Sequence, residues 1–308
     1  MFSATFFAAA VSPQAPAARA GHVLTTAGIT GGVLLFGGEM DTLPGLIDSL
    51  WRWDATGWRV AATGGPARRT LPAAAFDTRR NVLVLYGGLA LSTGSRFGDT
   101  WEWNGHNWSE RNVRSPGPRD HHALVYDEAR GQTLLFGGLT WDRSFPTATW
   151  TWDGTRWTMA DSTTGPGGLA HHAMAYDSRR QRVVLYGGSN GQMRGSDTWE
   201  WDGSHWIRIV VSGPGPRIRH RMAFDAARGE VVLYGGNGTR ETWTWNGRRW
   251  QQHQTIGPRA GDMTAMAYDV RRQRVLLFGG NGAGGPGLYQ TFSETWEWDG
   301  HNWKELSR

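Results

Sequence analysis

One phrase recurs six times along this 308-residue chain, at intervals of 44 to 50 residues. A double glycine closes an apolar run at Gly37-Gly38, Gly87-Gly88, Gly137-Gly138, Gly187-Gly188, Gly235-Gly236 and Gly279-Gly280. A loop follows, then Trp-x-Trp, then a third tryptophan five residues on, as in "DTWEWDGSHW" from Asp197 to Trp206. This pattern takes up eighteen of the nineteen tryptophans and leaves only Trp141 outside it. A fixed period in this range marks a repeat architecture, in which each unit buries its apolar faces against its neighbours.

Each unit reads as four short strands. The first ends in Tyr-Asp or Phe-Asp ("HHALVYD", "HHAMAYD"), the second runs into the double glycine ("RVVLYGG"), the third is "TWEW" or a relative, and the fourth starts at the third tryptophan. Asp-Gly and Asn-Gly between the last two strands are hairpin signals, because both residues tolerate positive φ. No segment sustains a helical period. First strands are rich in alanine (Ala123, Ala173, Ala175, Ala223, Ala265, Ala267), whereas third and fourth strands carry the tryptophans. Sheets stacked radially crowd near an axis and splay outward, so small residues belong inside and bulky ones outside. A buried tryptophan ring hides ~150–250 Å², which at ~25 cal/mol per Å² is roughly 4–6 kcal/mol before entropy is subtracted. The tryptophans therefore read as the glue between units.

The combined pattern Arg-x-x-His … Tyr-Asp … Gly-Gly … Asp-Thr-Trp-x-Trp-Asp-Gly-x-x-Trp resembles the bacterial kelch repeat of galactose-oxidase-like propellers, over residues 19 to 308. The resemblance implies an all-β, six-bladed β-propeller of four-stranded antiparallel blades. The first unit departs most, with "TAGITGG" and "WDATGW" in place of the usual turns. Six full units fit between the leader and the C-terminus. Ring closure then falls to packing of blade 1 on blade 6, with an edge strand from the leader as a further option. Residues 1–18 read either as the remnant of an export signal, with Ala15-Pro16-Ala17 at the cleavage position and no positive n-region, or as a disordered leader.

Composition excludes some chemistry. The chain has no cysteine, so disulfides, thiolate metal sites and a thiol nucleophile are ruled out. Galactose oxidase itself needs a tyrosine cross-linked to cysteine, and that activity is excluded too. No apolar run approaches the ~20 residues of a spanning helix. The net charge of +5 comes from arginine, since Lys304 is the only lysine. Arginines crowd the turns between first and second strands (Arg79, Arg80, Arg130, Arg179, Arg180, Arg228, Arg271, Arg272), beside Asp77, Asp127, Asp177, Asp225 and Asp269. Alternating signs and the lack of interleaved aromatics make this a self-neutralised rim and argue against nucleic acid.

Several motifs fail on context. "GAGGPG", Gly282 to Gly287, matches a dinucleotide fingerprint, but Pro286 removes an amide and no helix follows; it reads as a flexible loop. "GGSNG" around Ser189 lacks the strand-to-helix turn of a nucleophile elbow. His121-His122 and His171-His172 point to opposite faces of a strand and cannot chelate one metal. Their second members recur as His22 and His220, which suggests a structural hydrogen bond repeated by blade.

Candidate ligand-binding residues come from two places. Arg19, Arg69, Arg119 and Arg217 precede the histidine position by three residues, where the chain enters the innermost strand near one mouth of the axial channel. They either clamp a carboxylate or phosphate there or brace their own blades, and repetition favours bracing. The second place is where the repeat is broken. Trp141, with Asp142 and Arg143 beside it, has no counterpart in other blades, and Arg219 and Asp262 are similarly unpatterned. An unpatterned tryptophan in a loop fits sugar stacking or a protein contact as well as loop packing.

The favoured reading is a binding module whose variable-loop face takes a glycan or a protein, as a monomer, without cofactor or metal and without a catalytic residue that can be named. An extracellular or periplasmic location is favoured over a cytoplasmic one. The resemblance also admits a periplasmic sugar-acid epimerase or mutarotase, whose base could be Glu39, Asp41 or Asp262 by location alone. A purely structural repeat is the third reading.

Overall fold

The computed structural model describes residues 15–28, 31–40, 48–54, 56–285 and 288–307, with backbone alone for residues 284, 285, 288 and 289. The first fourteen residues of the suggested leader, Asp41 and the Pro286-Gly287 step of the glycine motif lie outside these residues. The described chain is all-β: six sheets of four antiparallel strands taken in sequence order, and one two-stranded hairpin. They span residues 23–62, 73–110, 123–161, 173–209, 221–253 and 265–307, and are blades 1 to 6. Blade 4 is representative, with strands Ala173–Asp177, Arg182–Tyr186, Thr198–Trp201 and Trp206–Ile209. Its register sets Trp201 opposite Trp206, which puts the second and third tryptophans side by side on one face.

The innermost strands of neighbouring blades pack around a common axis, blade 1 on blade 6 included. Among the described residues ring closure uses no exchanged strand: blades 1 and 6 each take their four strands in sequence order, with a hairpin inserted in blade 6. Three sets of contacts carry the closure instead. The amide of each second glycine donates to the next blade, as Gly38 to Arg69 O (3.0 Å), Gly88 to Arg119 O (2.9 Å), Gly138 to Leu169 O (2.8 Å), Gly188 to Arg217 O (2.9 Å), Gly236 to Gly261 O (2.7 Å) and Gly280 to Arg19 O (2.8 Å). The third tryptophan of each blade lies against the aromatic residue that precedes the double glycine of the blade before it. Trp58 meets Phe278, Trp108 Phe36, Trp157 Tyr86, Trp206 Phe136, Trp250 Tyr186 and Trp303 Tyr234, at ring separations of 5.0 to 5.6 Å. Five of these indoles also donate to a buried threonine of the preceding blade, for example Trp206 Nε1 to Thr149 Oγ1 at 2.8 Å and Trp58 Nε1 to Thr295 Oγ1 at 2.9 Å.

The double glycine is required by this geometry. Gly138 has φ of 102°, and a Cβ there would sit 2.8 Å from Asp120 O and 2.9 Å from His122 Cβ. The glycine-rich stretch after Gly280 differs from its reading as a loop: Asn281–Gly285 and Leu288–Thr291 pair as an antiparallel hairpin. Main-chain pairing needs no side chains, so glycine-rich sequence does not prevent it.

Two expectations test the closure. Trp206→Ala should cost about 3–5 kcal/mol, the range for a buried aromatic replaced by alanine. Gly138→Ala should cost about 1–3 kcal/mol or more from a disfavoured φ and a clash with backbone. Both are read from the midpoint of urea unfolding, and a loss within error of zero for either would remove that contact from the closure.

Candidate functional site

Where the chain enters each innermost strand, six residues adopt left-handed backbone: Gly21, Leu71, His121, His171, Arg219 and Met263, with φ between 52° and 67°. Their amides and carbonyls connect around the axis. Gly21 N donates to Met263 O, Leu71 N to Gly21 O, His171 N to His121 O, Arg219 N to His171 O and Met263 N to Arg219 O, at 2.6 to 3.2 Å. The backbone thus forms an annulus at one mouth of the channel, and the six side chains are left to differ. Ala20, Leu71 and Met263 form a small apolar cluster on one side. His121, His171 and Arg219 stand on the other.

These residues and Arg221 line a cavity of 120 Å³. The His121 and His171 rings lie 3.8 Å apart. Asp120, fully buried, takes the His121 ring through Nδ1 at 2.7 Å and Arg96 Nε at 2.8 Å. With a carboxylate as acceptor, His121 Nδ1 carries the proton, and Nε2 is the ring nitrogen left for another partner. Burial, then His121, Arg219 and Arg221, push the His171 imidazole down to about 2. Burial lowers Arg221 to about 10, against an upward pull from Asp262.

The predicted arginine ring is placed otherwise. Arg19, Arg69, Arg119 and Arg217 are buried. Each donates through Nη1 to the first glycine carbonyl of its own blade: Gly37, Gly87, Gly137 and Gly235, at 2.9 to 3.1 Å. Arg69 also pairs with Asp99 at 2.6 Å and Arg217 with Glu241 at 2.8 Å. None lines the mouth cavity. They brace blades because their donors are taken up by main chain before any ligand could reach them. Three of the four repeated histidines behave as the repeat suggests, with His22, His122 and His220 each 3.1 Å from the Phe278, Tyr86 and Tyr186 carbonyls of the neighbouring blade, whereas His172 is buried without a bond in that geometry.

Asp262 is buried, and its Oδ1 accepts the Gly238 amide at 3.0 Å. Glu39 bridges backbone to Ala20. Trp141 is 81% exposed, so loop packing does not account for it. Its neighbours are not an ion pair: Asp142 accepts from the Thr140 hydroxyl and, at 3.2 Å, from the Ser144 amide, and these bonds lower its pKa. The sequence reading missed Asp120, His121, His171 and Arg221. The signal was present for the histidines, since a first histidine occurs only in blades 3 and 4 and so breaks the repeat.

On the opposite face, Asp77, Asp127, Asp177 and Asp225 pair with Arg80, Arg130, Arg180 and Arg228 at 2.6 to 2.8 Å, which makes that rim self-neutralised. A second cavity of 270 Å³ opens there. Leu24, Ala74, Leu124, Met174, Met222 and Met266 line both cavities, an apolar collar between the two mouths. No group of metal-ligating side chains occurs among the described residues, and none of their helices is long and apolar enough to cross a membrane.

No family model matches the chain, and no curated protein matches it. Among solved structures, that of YjhT superposes with a TM-score of 0.73 over 96% of this chain and 99% of that one, at 16% identity. At that identity the likeness shows the propeller fold.

The inner histidines make stability depend on pH. Burial takes His172 from 6.5 to about 3, partly offset by the Phe136 carbonyl. Its folded pKa is depressed, so its contribution is whole above about 6.5 and is lost as pH falls towards 3. His172→Gln should therefore flatten the fall in unfolding free energy between pH 6 and 4 by up to about 1.4 kcal/mol per pH unit. Urea midpoints across that window read the effect, and parallel curves for the two proteins would contradict it.

Proposed function

We propose that this propeller is a binding module whose loop face takes a glycan. The observation that carries the reading is Trp141. Its indole is almost fully exposed on a loop between the second and third strands of blade 3, and that loop is held by the Thr140, Asp142 and Ser144 bonds. A large flat ring on a braced turn, beside hydroxyl, carboxylate and guanidinium groups, suits a sugar, which presents an apolar face with hydrogen-bonding edges. Ordering costs little, because the loop is already tied.

The propeller fold supports a binding role in general, and the repeat resembles kelch units. The carboxylates near the axis favour binding over bond-making. Asp120 is engaged by Arg96 and His121, and Asp262 by the Gly238 amide, so the free acid–base pair that a sugar-acid epimerase would need is not supplied by them. A protein partner is the second reading, favoured by Met193, 71% exposed in the equivalent loop of blade 4. Exposed methionine and tryptophan side chains suit adaptable apolar contact with a protein.

Binding of neutral and acidic oligosaccharides, measured by thermal shift, should stabilise the wild type. Trp141→Ala should weaken the glycan that binds by about tenfold or more without changing the melting temperature of the free protein. If no glycan binds and immobilised wild type captures a protein that Trp141→Ala does not, the partner is a protein. If Trp141→Ala leaves glycan affinity unchanged, the site lies elsewhere.

A further inference from the structure

We infer that the axial mouth on the loop face is a pocket for one small oxyanion, a carboxylate or phosphate group, held by Arg219 and Arg221. The inference rests on the mouth residues alone and stands whether or not the Trp141 loop takes a glycan.

The four bracing arginines are hydrogen-bonded to their own blades, and two of them face a carboxylate. Arg219 and Arg221 are different. Neither forms an ion pair within 4.0 Å among the described residues. Arg219 Nε is buried without a hydrogen-bond partner, and Arg221 donates through Nη1 only to the His220 carbonyl at 3.1 Å. Both are half-buried and line the same 120 Å³ cavity. Two half-buried guanidinium groups lining one cavity, neither in an ion pair, carry a desolvation cost that a bound anion offsets.

The fixed charges around them leave one in excess. On blade 3, Asp120 is neutralised by Arg96. On blade 6, Asp262 faces Arg221 electrostatically while its Oδ1 holds the Gly238 amide. His121, His171 and the inner His122, His172 and His220 add no compensating negative charge. Arg221 therefore faces one carboxylate without an ion pair to it, and Arg219 has no ion pair among the described residues. Bidentate donors of this kind match carboxylate and phosphate oxygens.

The cavity also limits what fits. Its apolar floor, the collar of Leu24, Leu124, Met174, Met222 and Met266, excludes a charged group from going deeper. A space of 120 Å³ is somewhat smaller than the ~150 Å³ cavity that holds a six-carbon ring. It accommodates a group of about six heavy atoms, or the charged end of a longer ligand. His121, its Nδ1–H given to Asp120, lines the cavity with Nε2 left for a second hydrogen bond. That suits a hydroxyl next to the anionic centre, as in a 2-hydroxycarboxylate or a monoprotonated phosphate.

The test uses the full chain and three probes at matched ionic strength: lactate, acetate and inorganic phosphate, with sodium chloride as the blank. Lactate or phosphate should raise the melting temperature of the wild type with the logarithm of concentration above its Kd. Whichever acts at the lower concentration identifies carboxylate or phosphate as the class, and acetate should be weaker than lactate. Arg221→Met and Arg219→Met should weaken that binding by about tenfold or more, while Trp141→Ala leaves it unchanged. Without any anion, the two methionine variants should melt close to the wild-type temperature, because neither guanidinium is held in an ion pair of the fold. The inference is overturned if neither lactate nor phosphate shifts the wild type beyond chloride, or if both arginine variants bind as the wild type does. A large loss of melting temperature in both variants without anion overturns it as well, since it would make the arginines structural.

Discussion

The amide of the second glycine in each blade is the point on which the ring depends. It reaches across to a carbonyl of the next blade in all six positions, including from blade 6 to blade 1, at 2.7 to 3.0 Å. Hydrogen bonds between main-chain groups need no particular side chain on the accepting residue, so Leu169 and Gly261 serve where arginines stand elsewhere. What they do need is close approach, and that excludes a Cβ on the donor. The double glycine is accordingly the least variable part of the repeat, and the aromatic residue before it is fixed by the tryptophan that lies on it.

Closure by these bonds has a consequence for the axis. A propeller that ties its ends with a shared strand concentrates the burden in one blade, whereas here the same contacts recur at every interface. The left-handed residues at the mouth take part through main chain alone. Their side chains are glycine, leucine, histidine, arginine and methionine while the main-chain bonds are kept. The mouth is a place where this fold varies its chemistry, at the cost of a φ that non-glycine residues disfavour. The four bracing arginines show the opposite case, since each is fixed in its blade by carbonyl acceptors and is unavailable to a ligand.

Much of the architecture was legible in the sequence because the repeat states it six times. The strand order, the inner alanines and the outer tryptophans all follow from period and side-chain size. The histidine rule also held: His122 and His220 reach carbonyls of the preceding blade. The site was less legible. Arg19, Arg69, Arg119 and Arg217 sit at the expected chain position, but a position near the mouth does not say which way a long side chain turns. Arg219 and Trp141 stand out in the sequence as departures from the repeat, whereas His121 and His171 are obscured by the histidines beside them.

Sequence by itself determined the number of blades, their strand content and the residues between them, because periodic spacing and residue size act locally and repeat. Only the tertiary structure decided which departures meet. His121, His171, Arg219 and Arg221 come from three blades, separated by up to a hundred residues, and converge because each blade is rotated about one axis. Burial, pairing and the charge left over depend on that convergence, and no local pattern encodes it.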